Sequence, residues 1–594
     1  MIKTKEDSRS LLLDGIKGVS IVAVVLYHFG GNVLPYGYLG VDVFFTVGGY
    51  LLFIQLERQI SNKRFEYISF IFKKLLRLWP PVLLVTLVSM ASGFFLMLPN
   101  DYENLAESAV ASTLFANNIL QCVTTKNYWD IVNLYKPLMH LWYVGVLMQA
   151  YILLPIVSLI MVNLCKNVHI GMAITTISIT VISLTLFLIP SFSSAWKFYY
   201  LPFRLFEITS GGILALYTFR QNNRSKKIES VLSLFIILGL ICSRWEIGSA
   251  ELMLILTVIA TMLFIESSKG LSLNALTGKI VNVVATIGKS SYSVYIWHQM
   301  IIAFLFYSVY SKHSVKNLII IILLTAIISI LSYKTIELPL KRIENNKKMA
   351  IIALSSMLTL AILLSVGSFN IYLHAGVTRD VPELGIVKNN VHRGMHSEYC
   401  DRVYSWDRPF NKDSMIKVLV IGNSFGRDWA NVLYEYNSDL DISFIYYSES
   451  ALMDNMDRVD EADYVFYALG LAYGEVPEVI DENIDNNKLY IVSNKNYGVS
   501  NGIIYSHKNT TGYYEQTVDY SLALQNDITH NKKIWNSHFI DMMEPVLTRD
   551  NRIRVFTDDK KFISQDCRHL TQAGAQYYSR LLNLDAIFSN KIAE

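Results

Sequence analysis

Apolar stretches long enough to cross a bilayer recur from residue 11 to about 373 and then stop. They lie near 11–29, 38–56, 79–98, 139–164, 169–190, 201–219, 229–243, 250–265, 287–310, 317–338 and 349–369. About 20 consecutive, mostly apolar residues span a hydrocarbon core. The pattern therefore predicts an α-helical membrane domain of ten spans, followed by an eleventh, linking span. Beyond 374 the apolar runs are short and separated by Asp, Asn, Lys and Tyr. IKVLVIGNSFGRDWANVL (416–433) reads as a strand, a tight turn at 422–424 and a helix beginning near Arg427. ISFIYY (442–447), ADYVFYAL (462–469) and KLYIVS (488–493) add three strands with helical stretches between them, so this part is expected to be a small α/β domain with a doubly wound parallel sheet. The expected division is a membrane domain at 1–342, the eleventh span and a linker at 343–414, and the α/β domain at 415–594.

Composition agrees with this division and excludes a fully soluble enzyme. Of 594 residues, 52% are hydrophobic and only 17% charged, and mean hydropathy is +0.33. The net charge of +3, from 52 basic and 49 acidic side chains, leaves no basic footprint for nucleic acid. The basic residues are unevenly placed along the spans. Twenty lysines and arginines fall in segments facing the N-terminal side, among them Lys3, Arg220, Arg224, Lys226 and Lys269, whereas the opposite loops hold six: Lys126, Lys136, Lys197, Arg244, Lys312 and Lys316. By the positive-inside rule the N-terminus is cytoplasmic and the α/β domain is exported. The first span has a basic lead-in like a signal peptide, but it carries Asp14 and Lys17 and no small-residue cleavage site, so it reads as a retained helix.

Ionisable side chains inside a span are costly and by default face an interior cavity, which makes each a functional candidate. Lys17 and His28 are eleven residues apart on the first span; at about 100° per residue they share one face, roughly 16 Å apart along the axis. That face offers a cation toward the cytoplasmic side and, deeper in, an imidazole able to move a proton. The other reading is a lysine snorkelling to the headgroups and an interfacial histidine. Arg204 and Glu207 on the sixth span, and Trp297 with His298 in the ninth, fit either a lined cavity or structural pairs. Lys74 and Arg77 before the third span are either positive-inside anchors or a phosphate clamp at the cytoplasmic mouth. Gly37, Gly40, Gly48 and Gly49 predict close helix packing around the second span, where Asp42 requires a partner.

In the α/β part, Ser424 sits on a strand-to-helix turn. Such a serine lies at the C-terminal edge of a parallel sheet, where its own amide and the helix N-terminus stabilise an oxyanion; the alternative is a serine that caps the helix. ISQDCRHLTQAGAQYYSRLL (563–582) places Asp566 and His569 three residues apart before a helix. That spacing lets the carboxylate orient the imidazole while the imidazole takes the proton of Ser424. Cys400 and Cys567 are the only cysteines of this part and are expected to pair in an oxidising compartment, tying the linker to the His569 loop. Cys122, Cys165 and Cys242 read as structural thiols of the membrane part.

Seven segments, LDGIKGVSIVAVVLYHF, YGYLGVDVFFTVGGYLL, KKLLRLWPP, HLWYVGVLMQAY, FRLFEITSGGILAL, GKSSYSVYIWHQ and YKTIELPLKR, resemble in order the motif series of the acyltransferase-3 membrane family over 11–342. The resemblance implies ten spans that accept an acyl group, typically acetyl from cytoplasmic acetyl-CoA, and deliver it to an extracytoplasmic acceptor. Lys17 and His28 match the family's basic-x10-His motif, with Lys where Arg is usual. Lys74 and Arg77 match R-x-x-R with its first Arg replaced. Lys17, Lys74 and Arg77, with Arg204 and Glu207, are the candidate donor-binding set, and Leu147 and Met148 stand where many members carry Glu. The Ser424 segment and the Asp566–His569 pair resemble the first and last motif blocks of SGNH-type esterases and acetyltransferases, with GNS in place of GDS. The middle blocks differ: Gly470 is followed by Leu471 and Ala472 rather than by G-x-N-D, so Gly470 and Asn496 are the candidates for further oxyanion donors.

Together the resemblances imply a bacterial inner-membrane O-acetyltransferase that acts on a periplasmic or extracellular polysaccharide or lipid-linked glycan, without a metal. The implied acceptor is O-antigen, capsule or another surface polysaccharide, with peptidoglycan as the alternative. Two rivals remain: an exported esterase with a membrane anchor, and a transporter whose α/β domain only binds glycan.

Overall fold

The computed structural model describes residues 5–30, 33–124, 135–218, 227–243, 248–268, 275–308, 314–390, 397–411, 416–470 and 476–592. Lys3, Lys126, Arg220, Arg224, Lys226, Arg244, Lys269 and Lys312, which entered the charge asymmetry, and Leu471 and Ala472 lie outside the described residues. The chain forms two compact units: Met1–Phe95 with Leu105–Phe369, and Leu96–Asn104 with Asn370–Glu594.

The first unit is helical. Among the described residues, eight helices are long and apolar enough to cross a membrane: Leu11–Phe29, Gly37–Ser61, Tyr67–Leu96, Met139–Cys165, Val168–Leu188, Ala250–Ser267, Val315–Ile343 and Lys347–Leu373. Their outer faces expose Ile177, Val181, Ile182, Leu323, Ile327, Leu363 and Val366. A water-soluble surface would not present such a continuous apolar face, and the protein is a multi-pass membrane protein. The other three expected spans are also helical. Ile228–Cys242 is shorter, and Leu201–Thr218 and Ser291–Ser308 are diluted by Arg204 and Glu207 and by His298 and Gln299. A further helix, Ala275–Lys289, was not signalled by an apolar run of spanning length; it packs along the first span.

Glycine sets the closest helix approach. A Cβ on Gly49 would stand 1.9 Å from the Ile208 carbonyl oxygen, and one on Gly211 2.1 Å from that of Thr46. Only glycine lets helices Gly40–Ser61 and Leu201–Thr218 meet so closely. Gly48, on the adjoining face, has nothing near its missing side chain and instead opens a cavity. Downstream of the Val315–Ser332 helix, a π-helical turn at Tyr333–Glu337 interrupts the α pattern, which re-aims local side chains.

The second unit carries seven strands: β1 (Lys417–Gly422), β2 (Asp441–Tyr446), β3 (Tyr464–Ala468), β4 (Leu489–Val492), β5 (Thr517–Asp519), β6 (Phe539–Ile540) and β7 (Arg552–Arg554). A parallel sheet has the order β2-β1-β3-β4-β6, and β5 pairs antiparallel with β7. The four expected strands are all present; β6 and the β5–β7 ribbon are too short to leave a hydrophobic run. Both faces of β1 are buried. Val418 and Val420 join Trp429, Phe444 and Phe466 in one core, and Leu419 and Ile421 join Ile445, Val465 and Tyr467 in the other. A strand alternates its side chains between faces, so two cores require helices on both sides of the sheet. Leu98, from the segment Leu96–Asn104, lies in the first of these cores beside Val377 and Val381.

Candidate active site

At the carboxyl end of β1 the chain turns through Asn423. Its Oδ1 accepts from the Phe425 amide at 2.9 Å, and its Nδ2 donates to the Leu469 carbonyl at 2.8 Å. Asn423 is thus the helix cap, and the helix runs Ser424–Tyr436, three residues earlier than expected. With the cap supplied by its neighbour, the Ser424 hydroxyl is released for another partner. Its Oγ lies 2.8 Å from His569 Nε2, and His569 Nδ1 lies 2.6 Å from Asp566 Oδ2. With the Nδ1 hydrogen on the carboxylate, Nε2 is the lone-pair nitrogen facing the serine.

Asp566 is itself held. Its Oδ1 accepts from the Arg568 and His569 amides at 2.9 and 2.7 Å. Burial pushes its carboxyl up, but the His569 charge, the imidazole hydrogen bond and the two amides outweigh this and hold it below the ordinary aspartate value. The His569 and Asp566 side chains keep 15% and 32% of their surface exposed, enough for a substrate to reach the imidazole. The His569 carbonyl, in turn, accepts from the Gln565 amide and the Ser564 hydroxyl at 2.8 and 2.9 Å.

Two residues that sequence reasoning passed over lock this arrangement. Asp428, one turn along the Ser424 helix, accepts from the Leu570 amide and from Lys495 Nζ, both at 2.9 Å through Oδ2. Both side chains are almost fully buried. Lys495 Nζ also stands 4.1 Å from the Phe425 ring centroid, and that ring packs on His569. Burial lowers the Lys495 pKa and the Asp428 carboxylate opposes it. One ion pair therefore pins the serine helix, the histidine loop and the loop after β4. Nothing local in the sequence marks the pair, because its members are 67 positions apart.

The other expected participants in this unit are placed differently. Gly470 has φ +67°, and a Cβ there would come 2.9 Å from Asn494 Oδ1 and 3.0 Å from the Phe425 ring, so only glycine fits. Asn496 does not join it: its Oδ1 accepts from the Gly498 amide at 3.0 Å within its own turn. Asn494 is the asparagine against Gly470. Cys400 and Cys567 do not pair. Both are free, buried thiols; Cys567 donates to Asn501 Oδ1 at 3.3 Å, and Cys400 accepts from the Gln565 amide at 3.8 Å. Each sulfur is satisfied by a different polar partner, and burial pushes the Cys400 thiol up to about 12.

In the membrane unit, Lys17, Lys74 and Arg77 line one cavity of about 420 Å³ together with Lys289, Lys341 and several tyrosines. Lys17 Nζ is 3.2 Å from Asp14 Oδ1, and Lys74 donates to Gln55 at 3.3 Å while lying over the Tyr151 ring. Gly48, Tyr143, Tyr295 and the π-turn residues Tyr333 and Glu337 complete the relevant wall. Five cations around a cavity suit a polyanionic ligand. Arg204 and Glu207 do not line it. Arg204 bonds Asp42 at 2.6 Å and Glu207 at 3.0 Å, all three side chains being fully buried, so this cation neutralises the carboxylate that needed a partner and ties two glycine-packed helices. Behind the cavity wall, His28 Nδ1 lies 2.7 Å from His298 Nε2, and His140 packs edge-on against His298 with ring centroids 5.2 Å apart. His140, in the segment HLWYVGV, escaped notice because it precedes its span instead of interrupting it. Among the described residues, no group of His, Cys, Asp and Glu side chains is arranged to hold a metal ion.

Comparison with known sequences matches residues 11–334 to a family model described as an acyltransferase domain. A Staphylococcus aureus (strain COL) protein named "Putative O-acetyltransferase" is 28% identical over 393 residues, covering 61% of this chain and 63% of that protein. The O-acetyltransferase OatA of Staphylococcus aureus (strain NCTC 8325 / PS 47) is 26% identical over 350 residues, covering 56% and 57%. The chain spans about three fifths of the length of the curated relatives it matches.

Proposed function

The chain belongs to the acyltransferase-3 membrane family, and on that premise we propose that it is an O-acetyltransferase moving acetyl from cytoplasmic acetyl-CoA to a hydroxyl of an extracytoplasmic glycan. The observation that carries this reading is the pairing in one chain of a basic membrane cavity, backed by His28, with a Ser424–His569–Asp566 hydrogen-bond chain in a separate α/β unit.

In this reading the charge asymmetry of the loops sets the cavity mouth toward the cytoplasm and the α/β unit outside. Lys17, Lys74 and Arg77, joined by Lys289 and Lys341, hold the phosphates of the donor, and acetyl-CoA supplies the acyl group as a thioester. His28 serves the transfer out of the cavity. Ser424 then gives its proton to His569 Nε2 as Oγ forms a bond to the acetyl carbon, and His569 returns the proton to the departing carrier oxygen or sulfur. The Ser424 amide and the helix N-terminus face the developing oxyanion. A glycan hydroxyl completes the cycle: its proton passes to His569, its oxygen takes the acetyl group, and Ser424 recovers its proton. Asp566 holds the imidazole in the required tautomer. Two separate imidazoles favour a relay over an anchored esterase, because a serine outside has no access to CoA inside.

The test uses two variants in producing cells, with O-acetyl content measured in each surface glycan, peptidoglycan included. Ser424→Ala and His28→Ala each reduce acetylation at least about a thousandfold with the chain still in the membrane. The purified His28→Ala protein still hydrolyses p-nitrophenyl acetate through Ser424, whereas the Ser424→Ala protein does not. Normal glycan acetylation in either variant refutes the relay.

A further inference from the structure

His28 and His298 come from distant parts of the chain, yet their ring nitrogens meet at 2.7 Å with the rings 9° from parallel. His298 Nδ1 also lies 2.7 Å from the Tyr295 carbonyl oxygen, one turn back on its own helix. A carbonyl only accepts, so Nδ1 of His298 carries its hydrogen, and a neutral His298 presents a lone pair at Nε2. The hydrogen between the two rings must then come from His28 Nδ1, which leaves His28 Nε2 as the basic nitrogen.

We infer that His298 is a positioning residue for the acyl transfer assigned to His28, selecting the His28 tautomer whose Nε2 accepts a proton. The inference rests on the proposed role of His28. His298 is fully buried and held on both sides. His140 stacks edge-on against it, donating from its own Nε2 to the Ile296 carbonyl at 3.0 Å. The Tyr295 hydroxyl donates to the His140 carbonyl. Tyr295 also lines the basic cavity, so the hydrogen-bonded assembly begins at the cavity wall and ends on His28. Backbone carbonyls and neutral rings do here what a carboxylate does for His569, and no uncompensated charge is buried in a span. During transfer, His28 Nε2 takes the proton of the attacking hydroxyl as the C–O bond forms. It returns that proton to the sulfur as the C–S bond breaks, while His298 keeps its hydrogen on Nδ1.

The experiment uses membrane vesicles from producing cells, so that the native acceptor is present, and radiolabelled acetyl-CoA over a range of concentrations. His298→Leu is expected to lower kcat for label incorporation at least about thirtyfold with KM changed less than about twofold. His298→Gln, which still offers an accepting oxygen to His28 Nδ1, is expected to recover to within about fivefold of the parent. Chain level in the vesicles and elution of the detergent-extracted protein as one species are checked for each variant. Parent-like kcat in His298→Leu, a rise in KM alone, or a Gln variant no better than Leu overturns the inference. If His28→Ala retains activity, the underlying reading fails; if it is inactive while His298→Leu is normal, only the positioning role fails.

Discussion

The two units each present a histidine at the end of a hydrogen-bond chain, and they orient it by opposite means. His569 leans on an ionised carboxylate, Asp566, that is itself held by two backbone amides and keeps contact with solvent. His28 leans on a second imidazole whose far nitrogen is satisfied by a carbonyl of its own helix. The difference follows from the surroundings. A partly hydrated loop tolerates an anionic orienter, which also stabilises the imidazolium formed during nucleophilic attack. A span penalises any charge lacking an immediate counter-charge, and the one cluster of buried charges near these helices, Arg204 with Asp42 and Glu207, is internally compensated. The tautomer is fixed in both units; the imidazolium gains a carboxylate partner in only one.

The sharpest way to break this comparison is to remove the charge from the α/β orienter while keeping its shape. Asp566→Asn is expected to cut p-nitrophenyl acetate hydrolysis and glycan acetylation by about a thousandfold or more, a larger loss than that of His298→Leu. Equal losses in initial-rate assays would mean that the carboxylate charge does no more than the neutral imidazole.

A smaller effect tests the scaffold under the triad. Lys495→Met leaves the buried Asp428 carboxylate without its lysine, at an expected cost of about 3 kcal/mol in the stability of the α/β unit. Urea-dependent hydrogen exchange of the Ser424 helix measures that cost. The loss of hydrolysis is expected to be about tenfold, because Asp428 retains the Leu570 amide and Arg427 at 3.4 Å. Unchanged exchange would show that this pair does not carry the link between the serine helix and the histidine loop.

The smallest effect is confined to one pH range. Burial pushes the Asp101 carboxyl from 3.8 up to about 7, opposed by the Ser500 hydroxyl bond at 3.2 Å and reinforced by the Asp566 charge. The folded unit therefore keeps a proton that the unfolded chain has released, so this group's contribution favours folding at low pH and is lost as pH rises from about 4 to about 7. Asp101→Asn should raise the thermal midpoint of the α/β unit at pH 8 by a few degrees, about 1 kcal/mol, and leave it nearly unchanged at pH 4. A gain of the same size at both values would exclude ionisation as the cause.

Much of the fold was legible because it rests on local periodicity. Every expected span falls on a helix, and each of the four expected strands lies within one or two residues of its observed limits. Departures occur where the deciding contact is short or remote. The Ser424 helix starts early because Asn423 caps it, a choice between neighbouring polar residues that the hydrophobic pattern does not reveal. β6 has two residues and leaves no run to detect. Helix Ala275–Lys289 is amphipathic and packs on the first span, so it lacks the unbroken apolar stretch by which spans are recognised.

The site divides along the same line. By itself the sequence determined two architectures on one chain, the first-span face that carries Lys17 and His28, and the three-residue spacing of Asp566 and His569, because each is written in period, length or local separation. Only the tertiary structure decided which polar residues meet. It joined Ser424 to His569 across 145 positions and His28 to His298 across 270. It withdrew Arg204 and Glu207 into an ion pair with Asp42, and it gave the Cys400 and Cys567 thiols separate partners. Buried polar groups must be satisfied by whatever packing brings within reach, and packing between distant segments is a property of the assembled cores, which no local stretch of sequence contains.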